Sequence, residues 1–91
     1  MFRLERSNRR NSICLTLEGE LKSESVEAAE SACFEALESS PRVKVLVKNV
    51  TEIDREGYAF LKRLVMTKAQ VRAIGIYSRY VLRTIKAKEA V

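Results

Sequence analysis

The stretch Ile53-Asp54-Arg55-Glu56-Gly57-Tyr58 sets two carboxylates around a guanidinium, and it is where any chemistry of this chain has to sit. An apolar run, Val43 to Val47, leads into it, and a helical pattern leaves it. Strand-to-helix junctions bring a loop and a helix N-terminus to the surface, where ligands and partners dock in open α/β sheets. The chemistry on offer is docking rather than catalysis. The chain has no His, which removes the commonest general base and metal ligand. It has no Gly-rich phosphate loop and no paired carboxylates in a recognisable pocket. Cys14 and Cys33 lack Cys-x-x-Cys spacing and an activating base, so they read as reduced packing residues. The expectation is no enzyme activity, no cofactor and no metal.

Each residue of the stretch also has a plain structural reading. Asp54 reads most simply as the N-cap of the following helix, its carboxylate accepting from backbone N–H groups two or three residues on. Glu56 falls in the first turn, where the helix dipole favours an acid whether or not anything binds. Gly57 would allow a tight turn or the close approach of a partner. Tyr58 could anchor a partner, since Tyr is enriched at interface hot spots, or pack on the adjacent strand. Lys62, Arg63 and Met66 flank the same helix surface and would extend the patch.

The elements that must hold this stretch follow from the apolar spacing. Phe2 to Glu5 alternates as a short strand, and Ser7 to Asn11 reads as a polar turn. Ile13, Leu15 and Leu17 alternate with Cys14, Thr16 and Glu18, a strand with one core face that Gly19 ends. Ser23 or Ser25 is positioned to cap a helix whose stripe is Val26, Ala29, Ala32, Cys33, Ala36 and Leu37, stopped by Ser39-Ser40-Pro41. Val43, Val45 and Val47 form one face of the next strand. Lys44 and Lys48 on its other face argue against helices covering both sides of the sheet. Phe60, Leu61, Leu64 and Val65 give the second helix its core face. Val71 to Tyr77 is the last strand, with Gly75 inside it. Ser78 caps a final helix with the stripe Val81, Leu82 and Ile85.

The motifs in this order resemble one known family. Ile53-Asp54-x-x-Gly57-x-x-x-Leu61 is similar to the loop of STAS domains, the fold of bacterial anti-sigma factor antagonists. Leu15-x-Leu17-x-Gly19-Glu20-Leu21 resembles the family's second strand and its exit turn, and the later strand and helix segments follow in sequence. The family's loop reads Ile-Asp-Ser-Ser-Gly-Leu, and its second Ser is phosphorylated to switch partner binding. Here Arg55 and Glu56 stand at the two Ser positions, and Leu46 and Lys22 replace acidic residues of the pattern. The resemblance implies an α/β domain of two layers spanning residues 1–91. Its mixed four- to five-stranded sheet would carry helices mainly on one face, in the order β-β-α-β-α-β-α. It also implies a non-catalytic protein-interaction module in signal transduction and transcription regulation. The partner would be an anti-sigma factor, a kinase-like protein or an assembly subunit, docked on the surface from Asp54 to Met66. A STAS-type subunit of a transport-associated assembly is the alternative within the same class.

Totals narrow the partners further. Ninety-one residues with 46% hydrophobic and 32% charged side chains suit one globular domain with a modest core. No apolar run approaches the length of a bilayer span, and Met1-Phe2-Arg3-Leu4-Glu5 does not read as a signal peptide, so a cytoplasmic protein is expected. The net charge of +5 raises nucleic-acid binding. The basic residues of the C-terminal half are not interleaved with exposed aromatics, which disfavours it. Glutamates crowd the first half and Lys and Arg the second, a dipolar pattern that suits protein docking. Self-association, as a homodimer, is compatible with a lysine-bearing sheet face and edge strands that helices do not cover.

Overall fold

The computed structural model describes residues 1–89, with Glu89 by its backbone alone. Strands β1 (Phe2–Arg9) and β2 (Ser12–Leu21) form an antiparallel hairpin. Helix α1 (Ser23–Ser39) crosses to β3 (Val43–Ile53), α2 (Arg55–Val65) crosses to β4 (Gln70–Ile74), and α3 (Ile76–Glu89) follows. Pairs β2–β3 and β3–β4 are parallel, so the sheet is mixed and ordered β1-β2-β3-β4. The expected element order and two-layer arrangement are present, with four strands.

Alternation decides which face is covered. Leu15 pairs with Val45 and Val45 with Val71, while Leu17 pairs with Val47. These rows of branched side chains lie on one face and are buried. Each such side chain contributes about 1.5–3 kcal/mol by leaving water. Val26, Ala29, Cys33 and Ala36 of α1, Phe60, Leu61 and Leu64 of α2, and Val81, Leu82 and Ile85 of α3 complete that core. The small residues Ala29, Cys33 and Ala36 in this stripe let α1 lie close to the sheet. Lys44, Lys48 and Arg72 point from the other face and stay exposed, and among the described residues no helix covers that face.

Several boundaries move from the sequence expectation. The hairpin is longer: β1 runs to Arg9, and the polar turn shrinks to Arg10-Asn11, where Asn11 takes φ 64°. Cross-strand pairing over eight residue pairs outweighs the polarity of Ser7 to Arg9. Gly19 does not end β2. The β2–β3 register shifts on both sides of it, and the strand continues to Leu21. Opposite, Asn49 adopts φ 46° and the alternation of β3 flips, which turns Val50 into the core. Past that irregularity β3 continues to Ile53, well beyond the Val43 to Val47 run.

Neither Ser23 nor Ser25 is the N-cap of α1. Lys22 holds that position, and the Ser25 hydroxyl, inside the first turn, accepts from the Lys22 N–H at 3.0 Å. The last strand stops at Ile74, three residues short of Tyr77. Gly75 takes φ 103°, a conformation L side chains rarely adopt, and a Cβ there would stand 2.7 Å from Asn49 Oδ1. Ser78 lies inside α3 rather than before it. Its buried hydroxyl accepts from the Val50 N–H at 2.9 Å. That contact has a topological reason. Strand β4 ends opposite Lys48, so the upper part of β3 has no strand neighbour on that side, and a hydroxyl takes the N–H that β4 leaves.

Candidate docking surface

The junction between β3 and α2 is a single residue. Asp54 is the N-cap of α2, and its Oδ1 accepts from the Gly57 N–H at 2.8 Å. The other oxygen, Oδ2, accepts from the Ser23 N–H at 2.8 Å, at the first residue of α1. One carboxylate therefore serves N–H donors at two helix N-termini and ties them together. These N–H groups, Gly57 and Ser23 foremost, hold its carboxyl below the usual carboxylate range. The Asp54 N–H donates to the Leu21 carbonyl at 3.3 Å, which adds the end of β2 to the same knot.

Gly57 completes the knot by lacking a side chain. It is buried, and a Cβ there would sit 2.1 Å from the Leu21 carbonyl oxygen. The close approach read from the sequence is thus made by β2 of the same chain. Tyr58 is half-buried against the core, with Lys88 Nζ 5.9 Å from its ring centroid on α3. Of the two readings of Tyr58, packing describes its place.

The remaining predicted residues are outward. Arg55 and Glu56 occupy the first turn of α2 and are exposed. Lys62 and Arg63 lie in its last turn, and Met66, the C-cap, is 72% exposed. Arg55, Lys62 and Met66 fall at i, i+7 and i+11, one stripe of a helix about 16 Å long. Arg63 is turned toward α1, where its guanidinium pairs with Glu30. On the β3 side, Lys22 Nζ meets Glu52 at 3.1 Å, and that contact raises the lysine's pKa.

Two partners of the knot escape the sequence reading, Ser23 as donor and Leu21 as carbonyl acceptor, and so does Glu30 as counter-ion to Arg63 at the far end of α2. Each lies more than thirty residues from the residue it meets, beyond the reach of local spacing. A second omission is apolar. Ile76 is 91% exposed, and Tyr77 and Tyr80 are exposed beside it at i+1 and i+4 on α3. A strand expected to run through Tyr77 conceals them. Gly75 followed by helical spacing is the available signal.

Among the described residues, no cluster of metal-ligating side chains is present, and no helix is long and apolar enough to cross a membrane. Cys14 and Cys33 are free thiols, and burial pushes the Cys33 thiol up to about 12, far from a reactive thiolate.

No family model matches the sequence, and no curated protein matches it. Solved structures do. An anti-sigma factor antagonist from Mycobacterium paratuberculosis matches with a TM-score of 0.78, over 99% of this chain and 82% of that one, at 16% identity. An anti-sigma factor antagonist STAS domain from Rhodobacter sphaeroides matches at 0.60, over 86% and 90%, at 23% identity. The fold is that of the STAS domain. SpoIIAA, an anti-sigma factor antagonist in its unphosphorylated form, matches at 0.55 over the full length of both chains, at 15% identity. Within this STAS fold, the motif Ile53-Asp54-x-x-Gly57 is the β3–α2 junction. Its Asp and Gly are used inside the chain, and its two intervening residues, Arg55 and Glu56, face outward.

Proposed function

We propose that this STAS fold is a non-catalytic protein-interaction module of the anti-sigma factor antagonist type. Its docking surface is the outer side of α2, with Arg55, Glu56, Lys62 and Met66 in contact and Arg63 at the border with α1. Asp54 and Gly57 fix the frame, and Tyr58 supports it from beneath. One observation carries this reading: Glu56 is exposed in the first turn of a helix whose entry is held by a carboxylate shared with α1. The backbone that carries Glu56 is fixed before a partner arrives, so less of it has to be ordered on binding. The neighbouring structures named as anti-sigma factor antagonists support an anti-sigma factor as the class of partner, and the family resemblance adds a kinase-like protein.

Glu56 also distinguishes this chain from switchable members of the resembled family. A phosphoserine carries close to two negative charges and can be reset, whereas a glutamate carries one and cannot. The state of this docking surface is therefore permanent, either a lasting mimic of the phosphorylated form or a constitutively binding one. Action in the cytoplasm, by one domain over residues 1–91, belongs to the same proposal.

The test is a pull-down from lysate of the source cells with wild type beside a Glu56→Lys, Met66→Ala variant of matched thermal stability. Capture of an anti-sigma factor or kinase-like protein by wild type alone is the expected result. Retention of that protein by both would move the interface off α2 and overturn the assignment. A companion Glu56→Ser variant, incubated with an anti-sigma kinase and ATP, is expected to take phosphate at the introduced hydroxyl where wild type takes none. No phosphate on the variant would show that more than this one side chain separates the chain from switchable members.

A further inference from the structure

Charge is laid out across the sheet. Helix α1, packed on β2, exposes Glu24, Glu27, Glu35 and Glu38. On the opposite flank, a cleft runs between β4 and α3, rimmed by Arg72, Arg79, Arg83 and Lys86. Its floor is apolar and partly small: Val65, Ala69, Ala73 and Leu82.

The two flanks differ in how their cations are used. Around α1, Arg6 faces Glu35, Arg63 faces Glu30 and Lys22 faces Glu52. Among the described residues, Arg72, Arg79 and Arg83 have no carboxylate within ion-pair distance. Arg79 and Arg83 place two such guanidinium groups on α3 beside one cleft, and they raise the positive potential there. Folding alone does not require that arrangement. The cleft also borders an open sheet edge, since β4 is the last strand. Lys86 Nζ donates to the Val71 carbonyl of that edge at 3.0 Å, the kind of lysine cover that keeps an edge from pairing indiscriminately.

We propose that this cleft is a second interaction site, distinct from the α2 surface, and that it takes an extended acidic segment of a partner protein. Guanidinium forks match carboxylates in bidentate pairs. An extended chain places alternate side chains on opposite sides. Apolar side chains of such a segment fit the alanine-lined floor while the carboxylates between them reach the arginines. The edge of β4 offers main-chain groups along the same line. Among the described residues no aromatic side chain lines the cleft, so it lacks the stacking platform on which single-stranded nucleic acid is held.

The test is a fluorescence-anisotropy titration with a short labelled peptide alternating glutamate and valine. Its comparators are the same peptide with glutamine for glutamate and a single-stranded oligonucleotide of equal charge. Wild type is run beside Arg79→Glu, Arg83→Glu in the cleft, and beside Arg9→Glu, Arg10→Glu on the β1–β2 hairpin, which changes net charge equally. The expected result is binding of the glutamate peptide by wild type and the hairpin variant, weakened about tenfold or more in the cleft variant, with no binding of the glutamine peptide. Amide shifts of wild type on titration are expected at residues 70–73 and 79–87, a readout that does not depend on the variants folding. Equal loss in both variants would reduce the effect to bulk charge. Preference for the oligonucleotide would make the surface a nucleic-acid site. Either result, or amide shifts elsewhere, overturns the proposal.

Discussion

At the end of β3 a carboxylate hands the chain to a helix; at the end of β4 a glycine does. Asp54 accepts N–H groups from α1 and α2 together, and Gly57 lets α2 close onto the Leu21 carbonyl. The β4–α3 junction uses Gly75 at φ 103°, and the Arg79 N–H closes the first helical turn on the Gly75 carbonyl at 3.0 Å. Ser78, the residue best suited to cap α3, is turned away to serve Val50 of β3. One junction uses side chains to fix a charged surface. The other relies on backbone conformation and leaves Ile76 and Tyr77 exposed. The first is the stiffer of the two, and the proposed docking residues follow it directly.

The difference is sharpest where a side chain is added. Gly57→Val places carbon against a backbone carbonyl that cannot move without unpairing β2 from β3. A loss of about 3 kcal/mol, at the upper end of overpacking costs, is expected in urea unfolding. At the other junction, Ser78→Ala orphans the Val50 N–H in a buried place and should cost about 1–3 kcal/mol. Gly75→Ala keeps the junction's hydrogen bonds but forces an L residue into the left-handed region, for about 1–2 kcal/mol. The Asn49 side chain nearby can swing aside, so crowding adds little there. If Gly57→Val proved milder than Gly75→Ala, the claim that the first junction is the stiffer would fail.

These contrasts also show what the sequence makes legible. The apolar spacing of each segment gives the element order, and valine alternation in β3 with the Ile-Asp-x-x-Gly motif gives the covered face and the position of the junction. They depend on periods of two and about four residues, which local spacing carries. The capping role of Asp54 is legible for α2, three residues away, and not for α1, thirty-one residues away. Gly57 reads as open to a tight turn or to a partner, because a glycine in sequence does not reveal who approaches it. Ser78 reads as a cap for a related reason: its actual use depends on β4 being shorter than β3, a fact of strand register that no local pattern encodes. The end of β3 is hidden by the flip at Asn49, which breaks alternation where a strand boundary would also break it.

The mildest prediction separates the junctions by acid. Asp54 is held below the ordinary carboxylate value by N–H donors that exist only in the folded chain. Its contribution to stability is therefore fully present above the unfolded carboxylate pKa of about 4, and it is lost as pH falls through the lower folded value. The β4–α3 junction contains no carboxylate. Lowering the pH below about 4 should thus raise hydrogen exchange at the Ser23 and Gly57 amides before it does so at the Arg79 amide. Asp54→Asn keeps an acceptor oxygen but removes the titration, so its stability should fall less steeply with acid over the same range. The order of amide exposure is the decisive readout, because other carboxylates also titrate and would lower global stability in both proteins. Loss of the Arg79 amide first would mean that α3 is the weaker attachment at every pH, and that the shared carboxylate contributes less to holding α1 and α2 than its geometry implies.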